Sequence, residues 1–213
     1  MDKKKAIAII TARGGSKRIP RKNIKKFLGR PILLYTIEAA LQARCFDEVM
    51  VSTDDPEIAQ LAQKAGAKVP FLRSSSTSDD HATTADVLLE VLEVYRTEGR
   101  EFNYFCGLYP TAPFITSDKL DEAFQQLIQS GATSLVPVVQ YGFPIQRSFK
   151  KEGERLVLNW PEHRNTRSQD LEQAYHDAGQ FYFVKTAIFL RDKKIFTDFS
   201  IPYVMPESEV QDI

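Results

Sequence analysis

The 213 residues are 43% hydrophobic and 26% charged, and 28 Lys and Arg are balanced by 28 Asp and Glu. That length suits a single α/β domain over residues 1–213 with a sizeable core and an extension, and excludes two domains of full size. Zero net charge argues against a general nucleic-acid binder, and no apolar run approaches the roughly 20 residues that cross a bilayer, so the expectation is a cytoplasmic protein with neither nucleic acid nor membrane as partner.

The opening MDKKKAIAIITARGG also has too short an apolar run for a secretory signal. Residues 6–10 are a continuous apolar run of the kind a buried parallel strand shows. Gly14 and Gly15 follow directly, without the Cβ that would keep a ligand off the backbone. From Arg13 to Arg30 there are eight Lys or Arg residues and no acid. Backbone N–H groups in such a loop can point at phosphate oxygens, while Arg13 adds a planar guanidinium fork and Lys22 a point charge. The loop therefore suits a small polyphosphate; a solvated basic surface loop is the plainer alternative. Neither G-x-x-x-x-G-K-[ST] nor a G-x-G-x-x-G after the first strand occurs, so a P-loop and a standard dinucleotide site find no support.

Pro31 predicts the first turn of a helix whose Leu33, Ile37 and Leu41 recur at helical spacing. A strand is expected over 48–53, and Asp54, Asp55 and Pro56 cap a helix over 57–65 that Gly66 stops. A third strand is expected over 68–72, followed by the polar run 74–81. Thr83, Thr84 and Asp86 then cap a helix reaching about Tyr95. Strand 104–108 leads into the proline-broken YPTAPFITSD, where Ser117 caps a helix ended by Gly131, and 134–139 is a fifth strand. Strands alternating with helices imply a three-layer αβα sandwich around a mostly parallel sheet, because parallel neighbours need crossovers and both faces need cover. Ligands of such sheets sit at the carboxyl ends of the strands, which places 11–22, Asp54, 73–84 and 109–116 on one rim.

Periodicity weakens over 140–173, where KKEGER reads as a hairpin and Trp160 precedes Pro161. A segment with so little core of its own is expected to pack on a second copy as a dimerisation arm; a long surface insertion is the alternative. A strand resumes after Gly179 with QFYFVK, then the short helix TAIFLRDKK and a last strand IPYVMP. Cys45 and Cys106 lack a C-x-x-C or a nearby His and are expected to be small core residues.

The run Ala12, Arg13, Gly14, Gly15, Ser16, Lys17, Arg18, Ile19, Pro20, Arg21, Lys22, Asn23 resembles the loop A-R-x-x-S-K-x-x-x-x-K-N of the sugar-nucleotide cytidylyltransferases, the CMP-sialic acid synthetase group. VSTDD, FLR, DDHATTAD, LYPTAPFIT and DAGQFYF stand where that group has its corresponding blocks, and they resemble its pseudaminic acid branch. The resemblance implies a Rossmann-like nucleotidyltransferase fold and transfer of CMP from CTP to a nine-carbon 2-keto sugar acid with loss of pyrophosphate, and the arm over 140–173 implies a homodimer. It implies catalytic roles for Arg13 and Lys22, and a nucleotide site of Thr11, Ala12, Arg13, Gly14, Gly15, Ser16, Lys22, Asn23, Arg73, Ala82 and Thr83. On the sugar side the group's Gln before P-T-S-P is Tyr109 and its carboxylate-gripping Arg falls on His176, so the candidate contacts are Tyr109, His176, Gln180 and Tyr182 and the sugar is a nonulosonic acid other than sialic acid. The group holds Mg²⁺ with a D-x-D near the end of the chain; Asp212 matches its first acid and the sequence stops at Ile213, before the second. A lone carboxylate implies that CTP phosphates supply most of the Mg²⁺ affinity. The rival readings are an N-acetylneuraminate or 3-deoxy-manno-octulosonate cytidylyltransferase and a non-catalytic CTP-binding homologue.

Overall fold

A computed structural model describes residues 5–16, 18–79 and 82–211 of the chain. β1 (Ala6–Thr11) can be apolar throughout because both its faces are covered: Ala6, Ala8 and Ile10 pack into one layer of helices, and Ile7 and Ile9 into the other. Two short strands, β2 (Lys26–Phe27) and β3 (Arg30–Pro31), pair antiparallel after the basic loop. Pro31 therefore ends a strand and does not open the helix, since α1 (Leu33–Gln42) starts two residues later. Its buried face is Leu33, Thr36, Ile37, Ala39 and Ala40, which leaves Leu41 exposed.

β4 (Glu48–Ser52) is buried along its whole length, and α2 (Pro56–Lys64) follows with Asp55 as N-cap and Pro56 in its first turn. α3 (Thr84–Thr97) opens with a capping box in which Thr83 and Asp86 each satisfy the other's backbone N–H. β5 (Tyr104–Leu108), α4 (Ser117–Ser130) and β6 (Ser134–Gln140) come next. Thr116, not Ser117, caps α4, because its side chain is the one that accepts the Lys119 N–H; Gly131, at φ 72°, ends the helix in the left-handed region that a side chain disfavours. The hairpin β7 (Phe149–Glu152) and β8 (Arg155–Leu158) turns within KKEGER as expected. β9 (Tyr175–Asp177), β10 (Phe181–Lys185), α5 (Thr186–Asp192) and β11 (Ser200–Val204) complete the chain.

The main sheet runs in the order β11-β6-β10-β5-β1-β4, with β9 paired to the far end of β6. β4, β1, β5, β6 and β11 share one direction, and β10 and β9 oppose it. α1, α2 and α4 cover one face, and α3 and α5 the other. The expected three-layer, mostly parallel architecture is what forms, with an antiparallel strand at its centre. The expected third strand over 68–72 is reduced to one bridge between Met50 and Lys68. Pro70 explains this, since a proline two residues on has no N–H to continue the ladder. Cys106 is buried and Cys45 half-buried in the core, both as free thiols, and burial pushes both thiols up. Among the described residues no helix is long and apolar enough to cross a membrane.

Candidate active site

Parallel registry brings the functional loops together. Thr11 lies opposite Ser52 and Ile10 opposite Leu108, so the segments leaving β1, β4 and β5 project from one edge of the sheet. β10 enters from that same edge, and the Tyr109 N–H donates to the Gln180 carbonyl at 2.9 Å. These segments enclose a cavity of about 540 Å³.

The basic loop forms one wall through Thr11, Arg13, Ser16, Arg18, Ile19, Lys22 and Asn23. Asn23 is buried, and its amide donates to the Arg13 carbonyl at 2.8 Å, which fixes the backbone where the first guanidinium leaves it. The oxygen of that amide, Oδ1, is buried and has no partner among the described residues, in a side chain that lines the cavity. The Arg13 guanidinium donates to the Asp79 carbonyl at 3.2 Å. Gly14 and Gly15 lie outside the lining. The Gly14 N–H, expected to face phosphate, donates to Asp54 at 2.8 Å, and a Cβ there would stand 2.6 Å from the Asp55 Oδ2. A neighbouring carboxylate thus leaves no room for a side chain at position 14. Ala12 is fully buried, its N–H bonded to the Ser52 carbonyl at 2.9 Å.

Arg73 is the most enclosed of the cavity's bases. Its guanidinium donates to the Ser52 carbonyl at 2.7 Å and to the Ser52 hydroxyl at 3.1 Å. Burial pulls its pKa down against the nearby Asp54 and Glu90 carboxylates, so Arg73 braces the end of β4 and presents the rest of its charge to the cavity. Ala82, Thr83, Thr84 and Val87 supply the opposite wall. The Thr83 hydroxyl is committed to Asp86 at 2.7 Å as part of the helix cap. Tyr109, Pro110, Thr111, Gly179 and Gln211 close the cavity. Among the described residues, four bases, Arg13, Arg18, Lys22 and Arg73, face it against a single acid, Asp79.

The sugar-side candidates divide. Tyr109 lines the cavity, but His176, Gln180 and Tyr182 stand outside its lining. Tyr182 is buried behind Tyr109, ring centroids 5.7 Å apart, and its hydroxyl donates to Asp177 at 2.6 Å; burial raises its pKa, and the Asp177 bond adds to that. Gln180 is buried and its amide donates to the Glu209 carbonyl at 2.7 Å, which holds the segment leading to Gln211 over the cavity mouth. His176 packs edge-on to Tyr141. Asp212 lies outside the described residues, and among those residues no three His, Cys, Asp or Glu are grouped to hold a metal ion.

The model of the family described as Cytidylyltransferase matches residues 7–211 of this chain. The chain belongs to the cytidylyltransferase family. The pseudaminic acid cytidylyltransferase of Campylobacter jejuni serotype O:2 is 43% identical over 98% of this chain and 90% of its own length. The N-acylneuraminate cytidylyltransferase A of Danio rerio is 34% identical over 84% of this chain and 41% of its own length. Among solved structures, CMP:2-keto-3-deoxy-manno-octonic acid synthetase complexed with CTP superposes with a TM-score of 0.68 at 19% identity, covering 94% of this chain and 90% of that one. At that identity the likeness is one of fold.

The family expected from the loop at Ala12 to Asn23 is therefore the one found, and most of the residues picked from that loop share one cavity. Missed were Val87, Gly179 and Gln211. Gly179 and Gln211 reach the site only because β10 runs backwards through the sheet and the last segment folds over it, and neither feature has a local sequence signal.

Proposed function

We propose that this chain is a CTP-dependent cytidylyltransferase that activates pseudaminic acid, a nine-carbon 2-keto sugar acid, to its CMP derivative with release of pyrophosphate. The carrying observation is the meeting of Arg13, Arg18, Lys22 and Arg73 in a cavity at the carboxyl edge of the sheet, with one acid among the described lining residues, in a chain of zero net charge. The anomeric hydroxyl attacks the α-phosphorus. A new P–O bond forms, the bond to the bridging oxygen of pyrophosphate breaks, and the hydroxyl proton is lost. Little covalent chemistry falls to the protein, so positioning and charge neutralisation dominate.

Arg13 forks onto phosphoryl oxygens and Lys22 meets the charge gathering on the leaving pyrophosphate. Thr11, Ser16 and Asn23 contact phosphates and ribose, with Ala12, Gly14 and Gly15 shaping the loop from behind. Arg73, Ala82 and Thr83 border the cytidine. Tyr109 forms the sugar wall, backed by Tyr182 and Gln180, with His176 beyond it. Bound Mg²⁺ would supply further neutralisation of the pyrophosphate. The described part of the site offers it no acid cluster, only Asp79, so Asp212 and the CTP phosphates would hold it.

Pseudaminic acid is favoured over sialic acid by Tyr109 and His176, which replace the polar pair of the sialic acid pattern, and by the higher identity to the Campylobacter relative, 43% against 34%. The test is kcat/KM for CTP with a panel of sugar acids. Pseudaminic acid is expected to exceed N-acetylneuraminic acid by about tenfold or more, because sites built on paired polar groups reject the wrong partner strongly. A preference for N-acetylneuraminic or 3-deoxy-manno-octulosonic acid overturns the choice of sugar. CTP binding without pyrophosphate release from any of them makes the chain a non-catalytic homologue.

The chain is also read as a cytoplasmic homodimer that uses residues 140–173 as its arm. Phe143 is 86% exposed and Leu156 73% exposed, and with Phe149 they border a hollow of about 1020 Å³. Exposed apolar surface of this kind suits burial against a second copy. Sedimentation at micromolar concentration should give a dimer that Phe143→Ser with Leu156→Ser dissociates; a monomeric wild-type chain overturns the reading.

A further inference from the structure

Arg21 stands at an unspecified position of the loop signature, so the resemblance assigns it no role. It is nonetheless one of three residues other than glycine with positive φ among the described residues, at φ 55° and ψ 34°. A side chain disfavours that region, and the conformation persists only where surrounding bonds impose it. Here the two arms of the guanidinium do so, one pairing with Asp55 and the other with Glu57 at the start of α2. Arg21 is absent from the cavity lining, whereas its neighbours Lys22 and Asn23 belong to it. The turn at Arg21 sends its own side chain away from the cavity and the next two toward it.

The other end of the loop is tied to the same place. Asp54 accepts the Gly14 N–H at 2.8 Å, one residue after Arg13, and Gly14 packs so closely on Asp55 that a Cβ would meet its carboxylate. Asn23 closes the ring by donating to the Arg13 carbonyl at 2.8 Å. Both bases assigned to the chemistry are therefore flanked by residues anchored to two adjacent carboxylates at the exit of β4. Capping of α2 uses only the other oxygen of Asp55, which accepts the Glu57 and Ile58 N–H groups at 2.8 and 3.1 Å.

We propose that Asp54, Asp55 and Arg21 are positioning residues that hold Arg13 and Lys22 in register for cytidylyl transfer. The proposal rests on the function read above and names three residues which that reading leaves without a role. It carries a sign that distinguishes it from a field effect. Neutralising an acid near a polyphosphate site should by charge alone help CTP, yet a positioning role makes the same change harmful, since a displacement of about 1 Å at the chemistry can cost as much as 10²-fold.

The test uses the full chain carrying Asp55→Asn, Arg21→Ala, both together, and Asp54→Ala. Asn remains a good N-cap, so Asp55→Asn removes the charge and leaves α2 capped. Each single variant is expected to lower kcat about tenfold with KM for the sugar nearly unchanged, and the double variant to fall no further than the larger single, as for groups acting as a unit. Amide hydrogen exchange of the ligand-free chain should speed up over residues 12–24 while α2 stays protected. Unchanged kcat in folded variants, a rise in activity with Asp55→Asn, or additive losses in the double variant would each overturn the proposal. Should the wild-type chain release no pyrophosphate, the function reading fails by itself, and exchange still decides whether these residues hold the loop: faster exchange over 12–24 supports the tether, unchanged exchange overturns it.

Discussion

Glu48 opens β4 and is buried there, its carboxylate taking Lys68 at 2.8 Å together with the Tyr95 hydroxyl and Arg100. At the opposite end of the same strand Asp54 and Asp55 are only half-buried, and besides the cap of α2 their partners are a backbone N–H and an arginine of the basic loop. Both clusters join acids to bases across long stretches of sequence. Around Glu48 every partner belongs to scaffold: Lys68 follows α2, Tyr95 lies in α3, and Arg100 stacks over the Tyr95 ring, 4.7 Å from its centroid. A buried, fully satisfied carboxylate contributes to stability mainly by what its removal leaves unpaired, whereas a carboxylate bonded to a loop contributes by where that loop's charges point.

The comparison is sharpened first at the loop. Arg13→Ala and Lys22→Ala should each lower kcat about 10²-fold, equivalent to about 2.7 kcal/mol of transition-state stabilisation, with little change in Tm. Near-normal kcat in either folded variant would detach the chemistry from this edge of the sheet. The reverse pattern is expected at the other end. Glu48→Ala should destabilise the fold by about 3 kcal/mol, lowering Tm by about 10 °C, because it orphans the buried Tyr95 hydroxyl and two cations. Its kcat at 25 °C should match wild type, and a large kinetic defect without loss of Tm would erase the distinction between the two ends.

Acid should read out the same difference more gently. Burial alone would raise the Glu48 pKa, but the bonds from Lys68, Tyr95 and Arg100 outweigh it and hold the group below the usual carboxylate range. A depressed folded-state pKa means that the stabilisation is fully present above the unfolded value of about 4.3 and is lost as pH falls through the lower folded value. Urea unfolding from pH 6 to pH 3 should therefore show a steeper loss for wild type than for Glu48→Gln; parallel curves would contradict this. The smallest effect is set by backbone conformation. Gly131→Ala places a Cβ at φ 72° and should cost about 1 kcal/mol without touching kinetics, which gives a scale for substitutions remote from the cavity.

What could be read from the chain follows the same division. β5 is found at the bounds its apolar run implied, and β1 and β4 agree to within one residue, because a strand covered on both faces is apolar throughout and ends where polar residues begin. Strand direction leaves no such trace: FYFV reads the same whether β10 runs with or against its neighbours, so its entry at the site edge was not legible. In the loop, the bases of the signature announced a polyphosphate, and Arg13, Ser16, Lys22 and Asn23 do share the cavity. The turn of the Gly14 N–H to Asp54 was invisible, since Asp54 and Asp55 were already accounted for as a helix start. Family position makes Gln180 and Tyr182 candidate sugar contacts, yet both are buried outside the cavity lining, Tyr182 in β10 and Gln180 just before it.

Cytidylyl transfer to a nonulosonate is read most directly by following CTP, pseudaminic acid and Mg²⁺ with the full chain by phosphorus NMR. The resonances of CTP should give way to one phosphodiester signal and one pyrophosphate signal, in equal molar amounts and only when the sugar is present. Intact CTP under conditions where calorimetry shows it bound, or conversion to CDP and inorganic phosphate, would contradict the account.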